Sequence, residues 1–233
     1  MKYKNLTIIG TSHVSLQSVK EIKETIKSLE PEAVAVELDH VRLQSLMSKQ
    51  KNKINLQDIL KIGITGYFFA VLGGWAQKKV GEIVRVQPGA DMKTAVVVAH
   101  KQGAQVYLVD QNIEITLKRL SKNFKFKEKM RVFADIFRML FFKKSEMEKW
   151  GLDKFDLRGV PDKKLIRKMM KQLKVRYPGI YKVLISERNK FMAKHIAKIM
   201  KMHSGSVVAV VGAGHEEEML EDIKKCLPKI DVV

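Results

Sequence analysis

The sequence predicts an α/β fold, a mainly parallel sheet covered by helices, with a helical lobe inserted before the last core strand. Three observations predict it. Four short apolar runs, Leu6–Gly10, Ala33–Leu38, Gln105–Asp110 and Ser206–Gly212, stand out along the chain. They alternate with longer segments whose apolar residues recur every three or four positions. Each run is nearly continuous, which suits strands buried on both faces of a parallel sheet.

The elements follow in order. After the first run, Val19, Ile22, Ile26 and Leu29 mark a helix that Pro31 closes. The second run ends on Glu37 and Asp39, and His40–Lys49 suits a helix. Ile59–Val80 reads as one long or two broken helices. Within it, Ile62–Ala76 is too short for the ~20 residues a bilayer-spanning helix needs, and its glycines leave a buried helix or a membrane-touching one open. Pro88-Gly89-Ala90 is a turn, and Asp91 is placed to cap the helix that runs through His100. The third run again ends on an acid, Asp110. Residues 113 to about 202 read as helical, with breaks near Gly151, Gly159-Val160-Pro161 and Pro178-Gly179. After the fourth run come a helix with Met219, Leu220, Ile223 and Leu227, then an edge strand at Ile230–Val233. The whole chain, 1–233, reads as one domain with 119–204 as its basic, mostly helical lobe.

Composition narrows the function. A chain of 233 residues, 45% hydrophobic and 30% charged, is an ordinary folded domain. Its single cysteine, Cys226, forbids an internal disulfide and a cysteine metal cluster. The N-terminal segment has no signal-peptide apolar region. The net charge is +19, and residues 118–201 hold 26 of the 44 basic side chains but only eight of the 25 acids. Such a segment attracts phosphates, anionic lipid or acidic ligands, or it is simply a solvated helical lobe. Its phenylalanines (Phe124, Phe126, Phe133, Phe137, Phe141, Phe142) are spaced for a helix's buried face rather than for stacking bases, which disfavours nucleic acid.

The first and fourth runs end alike, in Gly10-Thr11-Ser12-His13 and Gly212-Ala213-Gly214-His215. In each, a glycine is expected to turn the chain off the strand, leaving a histidine near a helix start, where the dipole disfavours the imidazolium. Ligands of parallel sheets gather beyond the strands' carboxyl ends. If the strands are neighbours, His13, His215 and Glu37 form a ligand set for Zn²⁺, Mn²⁺ or Co²⁺; otherwise both histidines are turn or capping residues. Arg188, in Glu187-Arg188-Asn189, suits clamping a carboxylate, and Asn189 orienting a substrate amide or water, although on sequence alone a surface ion pair at a helix start is the better-favoured reading.

Taken in order, these motifs resemble the TraB/PrgY pheromone-shutdown family. Those that carry the likeness are Gly10–Ser15, Val34–Asp39 with Arg42, Pro88–Met92, Ile113–Arg119, Glu187-Arg188-Asn189 and Val210–His215. That family is grouped with TIKI proteases, erythromycin-esterase-like and ChaN-like proteins. The resemblance implies a metal-dependent peptide hydrolase that limits a cell's response to its own peptide pheromone, or a non-catalytic protein that sequesters that peptide. Carried over by position, His13, His215 and Glu37 hold metal, Glu37, Arg188 and Asn189 act on the substrate, and Arg42, Asp91 and Arg119 bind it. Two departures stand out: Asp91 where a glutamate is expected, and Gln111 where many members have a basic residue. The partners implied are a short peptide and an anionic membrane surface or membrane protein, with self-association left open. Because many members continue into hydrophobic C-terminal spans, the chain is expected to be the soluble domain of a longer, membrane-anchored protein.

Overall fold

The computed structural model describes residues 1–12, 16–48, 58–84, 87–141 and 163–228. Five strands, β1 (Lys2–Tyr3), β2 (Leu6–Thr11), β3 (Ala33–Val36), β4 (Gln105–Leu108) and β5 (Val207–Gly212), form one sheet in the order β1-β2-β5-β3-β4. The four apolar runs are its parallel members. β1 is an addition the sequence reading lacked, a two-residue strand antiparallel to β2. β5 is central and buried along its whole length, which is why Val207–Val211 carries no polar side chain.

The helices among the described residues are α1 (Leu16–Leu29), α2 (His40–Met47), α3 (Asp58–Val84), α4 (Ala90–Lys101), α5 (Ile113–Asn123), α6 (Phe126–Phe141), α7 (Lys163–Arg176), α8 (Pro178–Tyr181), α9 (Glu187–Met202) and α10 (Glu216–Cys226). A π turn, Lys182–Ser186, joins α8 to α9. Strand alternation splits the core into two layers. On one face Val208, Val210, Val34 and Val36 meet Ile22 and Ile26 of α1 and Met92, Ala95 and Ala99 of α4. On the other, Val207, Ala209 and Val211 meet Met192 and Ile196 of α9 and Met219 and Ile223 of α10. The fold is therefore an α/β sandwich. α9, although within the basic 119–204 stretch, lies against the sheet. A separate cluster of Leu120, Phe124, Tyr177, Ile180 and Val183 holds α5, α7 and α8 together.

Two sequence readings change here. Of the aromatic row, Phe124 turns inward (6% exposed), whereas Phe126 is 75% and Phe137 53% exposed; the side chains of Phe133 and Phe141 are not among those described. Helical spacing locates an apolar stripe but not what it faces. In α3, Ile62 and Gly66 face inward while Leu60, Ile64, Phe68, Val71 and Trp75 are exposed, so the helix is neither wholly buried nor long and apolar enough to cross a membrane. Gly63 kinks it (φ 75°), and Gly66 lets it approach α5 closely: a Cβ at residue 66 would lie 2.7 Å from the Leu117 carbonyl oxygen. Ser121 pins the crossing, its hydroxyl accepting from the Gly66 amide (2.6 Å) and donating to the Ile62 carbonyl (2.7 Å). His13, Phe142, Gly151, Gly159–Pro161 and the expected strand Ile230–Val233 lie outside the described residues.

Candidate functional site

Because β5 lies between β2 and β3, the carboxyl ends of these strands open side by side. Glu37 follows β3 directly and is 2% exposed. Its Oε2 accepts from the Gly212 amide at the end of β5 (2.5 Å), and its Oε1 accepts from Arg188 Nη2 (2.5 Å). Arg188 reaches in from the first turn of α9 and also grips Asp110, beyond β4, with Nε (3.0 Å) and Nη2 (2.6 Å). Arg42, on α2, donates to the same Asp110 (2.7 Å) from the more exposed rim. Two acids thus face two arginines. Burial lowers the Arg188 guanidinium's proton affinity, but Glu37 and Asp110 outweigh it and leave its pKa above the ordinary arginine value.

His215 ends the second GxxH motif and is 5% exposed. Its Nδ1 lies 2.6 Å from Asn189 Oδ1. The amide orientation follows from its other neighbour: Asn189 Nδ2 faces Glu218 Oε2 at 3.4 Å, and an ionised carboxylate only accepts. Oδ1 therefore faces the imidazole and takes the proton of Nδ1. The Nε2 lone pair then points to Arg188 Nη1 (3.3 Å), with Glu37 Oε1 at 3.5 Å. Tyr181, one residue before the π turn, donates to the other Glu218 oxygen, and burial together with that carboxylate pushes its phenol pKa well above the ordinary value. π turns recur at functional sites because one extra residue rotates the downstream helix. Here it comes immediately before Glu187-Arg188-Asn189.

The sequence-predicted residues thus divide. Glu37, Arg188, Asn189 and His215 converge, and Arg42 joins through Asp110. Asp91 does not cap α4. That N-cap is Gly89 in the left-handed region (φ 81°), and Asp91, 1% exposed, accepts from the Thr11 hydroxyl (2.5 Å) at the end of β2. Arg119 pairs with Glu187 (2.8 Å) outside the cluster. Gly10 does not turn the chain; it makes room, since a Cβ there would lie 2.9 Å from Glu216 Oε2 and 3.1 Å from Ala213 Cα. Gly212 serves by its amide. Asp110, Glu218 and Tyr181 were not among the predicted site residues. Asp110 had a signal, as the acid ending a core strand; the other two had none. Gln111, the second departure, is buried and donates to Thr116 (2.7 Å), tying the end of β4 to α5.

The metal expectation can be tested on the donors present. Glu37 already uses both oxygens on the Gly212 amide and Arg188, and His215 Nε2 faces a guanidinium. Among the described residues no three His, Cys, Asp or Glu side chains converge as a ligand set. As arranged, the described donors alone do not fit a divalent cation.

A cavity of about 270 Å³ adjoins the cluster, lined by Ala213 and Gly214 of the second motif, Tyr181 and Glu218, and by Arg167, Met170 and Lys174 of α7. Fold and site together define a parallel α/β domain with a buried, charge-balanced imidazole cluster where such sheets take their ligands.

The chain belongs to the TraB/PrgY/gumN family, whose pattern it matches over residues 2–217. It is 40% identical to a Methanocaldococcus jannaschii protein over 222 residues, 95% of this chain and 54% of that protein. It is 23% identical to the human TraB domain-containing protein over 240 residues, covering 89% of this chain and 60% of the human one. The mouse TraB domain-containing protein aligns equally well. The chain therefore spans little more than half the length of these relatives.

Proposed function

We propose that the domain is a peptide hydrolase, with its centre at His215, Glu37, Arg188 and Asn189 and its short peptide substrate entering by the cavity beside Gly214. One observation carries this reading: His215 is held by Asn189 at Nδ1 with its Nε2 turned into a buried cluster at the strand ends. A neutral imidazole so fixed is a general base for water, and a guanidinium beside it can stabilise the oxyanion that forms. Asn189 holds the ring, and Glu37 and Asp110 hold Arg188.

A second reading, peptide binding without cleavage, is favoured by the state of Arg188. Its donors already serve Glu37, Asp110, the Leu184 carbonyl and His215, so oxyanion contact requires one of them to yield.

A defined peptide mixture, incubated with the protein and read by mass spectrometry, separates the two. The reaction is run with chelator and, separately, with Mn²⁺, Co²⁺ or Zn²⁺, beside a His215→Ala protein whose fold is checked by circular dichroism. Fragments from the wild type that vanish in the variant support hydrolysis. Intact peptides that bind saturably support sequestration. Equal cleavage by wild type and variant removes His215 from the reaction.

A further inference from the structure

Helix α6 carries large apolar side chains that face outward. Phe126 (75% exposed), Met130 (53%) and Phe137 (53%) share one face by their spacing and stand out of the protein. Glu128 and Asp135 turn inward from the other side, where Val132 packs on the Leu120 and Phe124 cluster. Glu128, 4% exposed, accepts from the Gly179 amide (2.9 Å), and Asp135 takes both the Arg176 guanidinium and the Tyr177 hydroxyl. These bonds come from α7, α8 and the Tyr177 between them, and hold the helix against rolling Phe126 and Met130 inward. Exposed cations border the ridge, Lys127, Arg131 and Arg138 on one flank and Lys125 and Lys129 on the other.

An apolar ridge between two rows of cations is the pattern of a helix that lies in a membrane interface. There the apolar side chains enter the acyl boundary and the lysine stems reach up to headgroup phosphates. We propose that this face of α6 docks the domain on an anionic bilayer surface. Charge complementarity selects that occupant. A second copy would set one cationic flank against another within a segment already holding 26 basic and eight acidic residues. Nucleic acid would use the cations but has no use for Met130. No helix among the described residues is long and apolar enough to span a bilayer, so the contact lies on the membrane.

The test is co-sedimentation of the full chain with vesicles of phosphatidylcholine alone and of phosphatidylcholine mixed with phosphatidylglycerol, across a salt series. Binding should require the anionic lipid and weaken with salt. Phe126→Asp/Met130→Asp, at exposed positions, should lower affinity at least about tenfold by removing the inserted ridge. Lys127→Glu/Lys129→Glu should lower it about fivefold per lysine and flatten the salt dependence. Equal binding by the Phe126→Asp/Met130→Asp protein would overturn the proposal. So would binding that ignores lipid charge, or no binding at all. A concentration-dependent dimer that this variant abolishes would assign the face to a second copy instead, and retention on a nucleic-acid duplex but not on vesicles would assign it to nucleic acid.

Discussion

Replacing Glu37 by glutamine should destabilise the protein by about 2 kcal/mol, and replacing Arg188 by methionine should cost more. The glutamine keeps an acceptor for the Gly212 amide, so the strand-end hydrogen bond survives. The loss is the charge attraction to Arg188, which at ~4 Å between charge centres and an effective dielectric of about 20 is worth about 4 kcal/mol. Roughly half returns, because the neutral side chain no longer carries the desolvation cost of a buried carboxylate. Asp110 also still neutralises the guanidinium through two bonds. Arg188→Met instead leaves Glu37 and Asp110 without the guanidinium they share, with Arg42 still on Asp110, and belongs with the ~3–5 kcal/mol losses seen when a buried pair is broken. Combining the two changes should be milder than the sum, since Glu37→Gln removes one of the stranded charges. The assay is urea unfolding at neutral pH, comparing midpoints at unchanged slope. If Glu37→Gln and Arg188→Met cost the same and less than about 1 kcal/mol each, as for exposed ion pairs, the description of a buried, interdependent network is wrong.

Packing and titration supply two further outcomes. Gly66→Ala should cost about 1–3 kcal/mol, because its Cβ meets the Leu117 backbone oxygen at 2.7 Å and α3 must lift off α5; Gly73→Ala, with nothing within 4 Å, should instead gain up to about 1 kcal/mol of helix propensity. Thermal unfolding of the two variants checks that they move in opposite directions. Burial alone would raise the Asp135 carboxyl, but hydrogen bonds from Arg176 and Tyr177 outweigh it and hold it below its ordinary 3.8, while burial and the Asp135 bond push the Tyr177 phenol up to about 12. The α6 clamp is therefore at full strength above pH 3.8 and is lost as pH falls through the depressed carboxyl value; the Tyr177 contribution, full below the ordinary 10.0, is lost only as pH rises through about 12. The stability gap between wild type and Asp135→Asn should close on acidification, and a gap that stays constant would show that Asp135 does not carry the clamp.

Much of this architecture was written in local pattern. The four parallel strands announce themselves as apolar runs, and their polar ends name Glu37 and His215 before any geometry exists, with Asp110 marked only as a strand-ending acid. Arg188 and Asn189 needed the family likeness, because a charged residue at a helix start reads equally well as surface. The orientation of α6 was illegible for a sharper reason. Its stripe is as regular as any core stripe, and long-range contacts, the bonds of Glu128 and Asp135 and the packing of Val132, decide which side turns inward. Gly10 was misassigned because glycine marks either a turn or a close approach, and the carboxylate of Glu216 that comes close is some two hundred residues away. Tyr181 and Glu218 are ordinary side chains whose pairing depends on the phase set by the π turn.

That phase has a consequence for how the chain can vary. Ile180 and Val183 look into the outer cluster, and Met192 and Ile196 look into the sheet. One continuous rod serves both only because Lys182–Ser186 shifts its angular register between them. Losing a single residue there would swing everything downstream by about 100°, since each α-helical residue turns that far. Arg188 would leave Glu37 and Asp110, Asn189 would leave His215, and Met192 would leave the core in the same stroke. Length in this stretch is thus as constrained as residue identity, and between Pro178 and Asn189 the chain cannot gain or lose a residue without dismantling the site.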